Sequence, residues 1–213
     1  MNPTGMAVFP CSCQPVQVAM FLQARLDSAH IDGFVFLDSG AMPDSDRHTS
    51  AERYSILALD PWLDLRFQDQ QTWLNGEPAP EDLFTTIRTF LRQHAKDFPE
   101  ILPLDLPFQG GLIGYFAYDL AAALDPEHLP LPVASDHDVP LAWLRAYDRM
   151  IVFDHEEEKA WLFAWGQLQP AQHALDSLQA AVLAAHSEQA ERLAADADQA
   201  AGQRGITNHA TAN

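Results

Sequence analysis

Cysteine is scarce in this chain. Cys11 and Cys13 are the only two among 213 residues, and one residue separates them near the amino terminus. No second pair exists to complete a four-ligand metal site, so a structural or incidental role is expected for both. Basic residues are also few. Twelve lysines and arginines face thirty acids, a formal charge of −18. Such a field repels phosphate backbones, and nucleic-acid partners are not expected. The acids are spread along the chain and read as a solvated surface. No apolar run approaches the roughly 18–20 residues that cross a bilayer. No basic residue precedes the short apolar patch after Met1–Gly5, so a secretory signal is not expected. These absences together read as a cytoplasmic protein without a membrane partner. The signatures of catalysis are missing as well. There is no Gly-x-Ser-x-Gly elbow, and the nine histidines form neither a His-x-x-x-His pair nor a His-Glu-x-x-His run. No catalytic or metal-ligating residue is assigned.

What the chain does have is a core. Its hydrophobic content of 47% excludes wholesale disorder. Pro15 opens an expected helix to Ala29, with Val18, Phe21, Leu22 and Leu26 on one face. Residues 34–37 and 53–59 read as short strands. Leu63, Leu65 and Phe67 alternate with Asp64 and Arg66 as a half-solvated antiparallel strand would. Gln71 to Leu74 is expected to pair back onto it, with Asn75-Gly76 as a tight turn. Glu81 and Asp82 favour a helix start, and Leu83, Phe84, Ile87, Phe90, Leu91 and His94 make its apolar stripe. A long hairpin is expected from Leu141 to Trp165, turning at residues 156–159. One more amphipathic helix follows Pro170, and residues 202–213 have almost nothing to bury. The class predicted is α+β: an antiparallel sheet, half of a sandwich, with helices on its outer face.

The most informative stretch is residues 107–119, Pro-Phe-Gln-Gly-Gly-Leu-Ile-Gly-Tyr-Phe-Ala-Tyr-Asp. Glycine weakens a strand interior, so Gly110, Gly111 and Gly114 within a buried-looking run mark a bend or a close backbone approach. A phosphate loop is not indicated. The spacing is not Gly-x-Gly-x-x-Gly, and no Lys-Ser/Thr follows.

This stretch resembles the glycine-rich strand in the amino-terminal domain of chorismate-utilising enzymes, the family that holds component I of aminodeoxychorismate synthase and of anthranilate synthase. Phe36-Leu37-Asp38-Ser39-Gly40 and Arg53-Tyr54-Ser55-Ile56-Leu57-Ala58-Leu59-Asp60-Pro61 agree with it in order and approximate spacing. Pro140 to Trp165 resembles the long hairpin that follows. The resemblance covers roughly residues 15–170. Asp38-Ser39, where anthranilate synthases usually carry Glu-Ser, looks more like the aminodeoxychorismate branch.

The resemblance implies a flexible amino terminus (1–14), an amino-terminal α+β domain (15–200) and a tail or linker (201–213). Family members keep their Mg²⁺-binding glutamates and chorismate contacts in a larger carboxy-terminal domain. This chain is therefore expected to lack catalytic residues and to hold no cofactor itself. The implied partners are that domain and a glutaminase subunit, which together make 4-amino-4-deoxychorismate for p-aminobenzoate and folate. A free-standing amino-acid-binding or interaction module without catalysis is the alternative. Leu37, Asp38, Ser39, Arg53 and Tyr54 are the implied half of a tryptophan pocket; in the other reading, Arg53 and Tyr54 pack the sheet edge. Gly110, Gly111, Gly114, Tyr118 and Asp119 are the implied face toward the catalytic domain, expected to be sticky when uncovered.

Overall fold

A computed structural model describes residues 5–10, 14–29, 33–39, 53–94, 106–125, 127–129 and 139–207. Cys11, Cys13, the polar stretch 40–50 and Pro126, Pro130 and Pro132 lie outside the described residues. The strands are β1 (Gly5–Pro10), β2 (Phe34–Leu37), β3 (Tyr54–Gln68), β4 (Gln71–Leu74), β5 (Glu77–Pro78), β6 (Ile113–Phe116), β7 (Ala142–Asp154) and β8 (Lys159–Ala164). The helices are α1 (Pro15–Ala29), α2 (Leu83–His94), α3 (Leu120–Leu124) and α4 (Ala171–Thr207). The eight described strands join one antiparallel sheet in the order β1-β8-β7-β3-β4-β5, with β2 added beside β3 and β6 beside β7. The fold is α+β.

The long pair β3–β7 is the spine of the sheet. Two strands expected at 53–59 and 62–67 are one continuous strand of 15 residues. It carries a bulge where the register shifts between Pro61 and Leu63, and Asp60 there has φ of 58°. An extra residue in one strand of a pair moves every later side chain to the other face. Leu57 and Leu59 pack with Ile151, Phe153 and Leu162 beneath α1 and α4. Beyond the bulge Leu63, Leu65 and Phe67 pack with Ala142, Leu144 and Ala146 against Leu83 and Phe90 of α2 and Leu120 of α3. Residues 142, 144 and 146 alternate with 151 and 153 along β7, so the two cores lie on opposite faces. Helices therefore cover the second face too, in addition to the outer face expected. A third cluster, Ala58, Met150, Val152, Phe163 and Trp165, shares that second face, with Leu106 and Phe108 packed against it.

Three local expectations are corrected. Residues 5–10 are not a flexible end: β1 pairs with β8 from Gly5↔Ala164 to Pro10↔Lys159, beside the α1–α4 core that its Ala7 joins. The glycine stretch is a strand only at 113–116, and Gly114, Tyr115 and Phe116 are exposed rather than buried. Gly110 and Gly111 bend the chain ahead of it, with φ of 136° and 121°. Residues 201–207, expected as linker, continue α4 to Thr207. Gly202 and Gly205 each cost a helix about 1 kcal/mol relative to alanine, so local propensity does not explain the continuation. Helix α2 begins as its acids predict. The Asp82 carboxylate accepts from the backbone N–H of Phe84 and Thr85, each at 3.0 Å, and from the Thr85 hydroxyl at 2.6 Å.

Candidate functional site

Three backbone segments meet at one end of the spine. They are the strand end Leu37-Asp38-Ser39, the start of β3 at Arg53-Tyr54-Ser55, and the β7–β8 turn from Asp154 to Glu157. Ser55 is fully buried on the strand face it shares with Leu57, where a hydroxyl must find partners. Its Oγ donates to Asp38 Oδ1 at 2.9 Å and accepts from the Ser39 backbone N–H at 3.2 Å. His155 Nε2 stands 2.9 Å away, and Ser39 Oγ 3.4 Å away. The hydroxyl thus ties β2, β3 and the turn together.

Arg53 crosses to the same turn. Its Nε and Nη2 donate to the two oxygens of Asp154 at 3.0 and 2.7 Å, a two-point pairing. Glu156 and Glu157 lie within 3.3 and 3.7 Å of the guanidinium, which also stacks over the Tyr54 ring at 4.9 Å. The hydrogen bond to Asp154, with the surrounding negative charge, pushes the Arg53 pKa upward. Burial works to raise the Asp154 carboxyl. The bonds from Arg53 and from the Glu157 and Glu156 backbone N–H groups outweigh it, so Asp154 is held below the usual carboxylate range.

Of the five residues expected at the half pocket, Asp38 and Ser39 are joined through Ser55. Arg53 is engaged by the acidic turn, and Leu37 is largely exposed at the end of β2. Ser55, Asp154 and His155 were not anticipated. Asp154-His155 reads in sequence as an ordinary polar hairpin tip. The available signal was Ser55, a polar residue in an apolar strand on the phase of Leu57 and Leu59.

The glycine stretch is a separate feature. A Cβ on Gly114 would lie 1.9 Å from the Trp143 carbonyl oxygen, so β6 approaches β7 as only glycine permits. Tyr118 is almost wholly exposed, and Asp119 precedes α3 without a side-chain cap bond. Phe116 stacks on Phe84, both of them exposed.

A broader groove, of about 490 Å³, opens at the far end of β3 between Asp64, Arg66, Gln68, Trp73 and Asn75. It does not include the residues expected to bind tryptophan. Asp64 is its hub, accepting from Arg66 Nε at 2.6 Å, Arg145 Nε at 2.7 Å and Trp143 Nε1 at 2.9 Å. Burial opposes ionisation of Asp64, but these bonds prevail and hold its pKa low. The pairings of Asp64 and Arg66, of Arg145 and of Trp143 satisfy one another across the sheet face.

The depressed carboxylates carry a pH prediction. A carboxyl whose folded pKa lies below its unfolded value adds stability above the unfolded value, and loses it as pH falls through the folded one. Asp154 and Asp64 both have that sign. The urea midpoint should therefore hold from pH 7 to about pH 5 and fall below about pH 4. Asp154→Asn should flatten the fall. A midpoint unchanged down to about pH 3 would contradict the pairing.

Comparison with known proteins gives the family. Residues 44–206 match the family model described as chorismate binding enzyme. The anthranilate synthase component I-like protein of Synechocystis is 31% identical over 61% of this chain and 25% of its own length. Aminodeoxychorismate synthase component 1 of Bacillus subtilis is 31% identical over 52% of this chain and 23% of its own. The chain thus spans about a quarter of the length of such relatives. The crystal structure of anthranilate synthase component I from Streptococcus pneumoniae TIGR4 aligns with a TM-score of 0.42 and 18% identity, over 84% of this chain and 37% of that one. Three-quarters of the residues, from the polar stretch before β3 to the end of α4, fall within a single family model, and on that match the chain belongs to the chorismate binding enzyme family.

Proposed function

We propose that this chain is the amino-terminal domain of an aminodeoxychorismate synthase component I. Such an enzyme, with a glutaminase partner, converts chorismate to 4-amino-4-deoxychorismate on the way to p-aminobenzoate and folate. The match over residues 44–206 supports the family part of this reading. Relatives named for aminodeoxychorismate synthase and for anthranilate synthase stand at similar identity. Asp38-Ser39 in place of Glu-Ser is what favours the first branch. Among the described residues no three carboxylate, imidazole or thiol groups gather around one point.

Disrupting the gene that encodes this chain is expected to create a growth requirement met by p-aminobenzoate and not by tryptophan. A tryptophan requirement would move the chain to the anthranilate branch, and no requirement would favour a binding module without catalysis. Purified chain given chorismate, Mg²⁺ and ammonia should form no product. Turnover above a no-protein control would overturn the assignment as a non-catalytic domain.

The strand-end cluster is the proposed half of a tryptophan pocket. The exposed Asp38 carboxylate and the Ser39 hydroxyl suit an ammonium group, and Leu37 offers apolar surface beside them. Affinity for half a pocket should be weak. Calorimetric titration should show heat in the unaltered chain and less in Ser39→Ala; equal heats in the two would count against the site.

A further inference from the structure

Ser55 Oγ is a buried hydroxyl with one proton, two lone pairs and more partners than it can serve indiscriminately. The partners constrain one another. Asp38, as a carboxylate, can only accept, and the Ser39 backbone N–H can only donate. With the Ser55 proton directed to Asp38 at 2.9 Å, one lone pair takes the Ser39 N–H and one remains. His155 Nε2 faces that lone pair at 2.9 Å, closer than the Ser39 hydroxyl at 3.4 Å. A bare Nε2 there would set two lone pairs against each other in a site where Ser55 admits no water. Relief would come only by drawing the proton away from Asp38. The arrangement is satisfied when Nε2 carries hydrogen.

We propose that Ser55 and His155 are the positioning pair of the strand-end site. His155 donates from Nε2 to Ser55, Ser55 donates to Asp38, and the Asp38 carboxylate is thereby held in place to receive a ligand's ammonium group. The His155 backbone N–H donates to the Arg53 carbonyl at 2.9 Å, which fixes the turn against β3 and brings the ring to Ser55. Neither residue needs to touch the ligand. Both act through Asp38. The ligand class, an amino acid, rests on the tryptophan reading above; the pairing itself rests on the geometry alone.

The two parts are tested separately. Nitrogen-15 NMR of the unaltered chain at neutral pH should show His155 protonated at Nε2. A neutral ring protonated only at Nδ1 would overturn the pairing, whatever the chain binds. Tryptophan titration should then show Ser55→Ala and His155→Ala binding about tenfold more weakly, the loss of one hydrogen bond to a charged group. His155→Gln, whose amide can still donate, should recover most of that loss. Alanine variants that keep the native NMR spectrum and bind tryptophan as the unaltered chain does would overturn the positioning role. An Nε2-protonated His155 in a chain that takes up no tryptophan supports the pairing and overturns the ligand reading alone.

Discussion

Gly114→Ala should detach β6 from the sheet. The added Cβ would stand 1.9 Å from the Trp143 oxygen and 2.8 Å from Leu144 Cα. Both are backbone atoms of the central strand, which cannot swing aside as the tip of a side chain can. β6 must retreat, and its pairing from Ile113↔Arg145 to Phe116↔Ala142 goes with it. Ile113, otherwise buried against Met150 and Phe163, is then pulled out of the core. The expected cost is about 3–5 kcal/mol, at the severe end for one substitution. In a chain of this size that lowers the melting temperature by about 10 °C. Gly76→Ala is the control. Nothing lies within 4 Å of its would-be Cβ, and only its φ of 85° opposes a side chain, a cost of about 1–2 kcal/mol. Equal melting shifts in the two variants would refute the close approach of β6 to β7.

The second large effect is expected at Phe163. Its ring is 1% exposed and packs with Met150, Val152 and Ala58, its centroid 6.0 Å from that of Trp165. Among the described residues no long helix covers this part of the second face; Leu106 and Phe108 of the chain before β6 do. If that covering segment makes a true core, Phe163→Ala should cost about 3–5 kcal/mol, since the surrounding sheet cannot collapse into the void. Leu162→Ala, its neighbour on the α1–α4 face, should cost about 2–5 kcal/mol. Urea unfolding of both variants measures the difference between faces. A loss below about 1 kcal/mol at Phe163 would mean that the segment before β6 opens readily and leaves the face wet.

Much of this was legible in the residues. Period-two alternation at Leu63, Leu65 and Phe67, the Asn75-Gly76 turn, the acids ahead of α2 and the 141–165 hairpin all act through local chemistry, and the elements stand where that chemistry puts them. Features that depend on distant partners were not legible. β1 reads as a loose end because its partner, β8, lies about 150 residues away along the chain. The two strands expected within 53–67 are one, because β7 runs unbroken beside both halves. Residues 110–111 look like strand by composition, but their positive φ angles belong to a bend. At the site, a resemblance pointed to Leu37, Asp38, Ser39, Arg53 and Tyr54. Asp154 and His155 gain meaning only when pairing of Tyr54 with Asp154 brings the turn beside them.

The bulge at Asp60–Trp62 gives β3 something like a reading frame. Upstream of it the odd-numbered residues face α1 and α4; downstream the odd-numbered residues face α2 and α3. Deleting one residue there would remove the shift of frame rather than cause one: Leu63 would still oppose Ala146, and Leu63, Leu65 and Phe67 would still face α2 and α3. Deleting one residue further along, between Leu63 and Phe67, would instead turn the residues beyond it to the wrong face. The bulge is thus where β3 can lose a single residue and keep both cores.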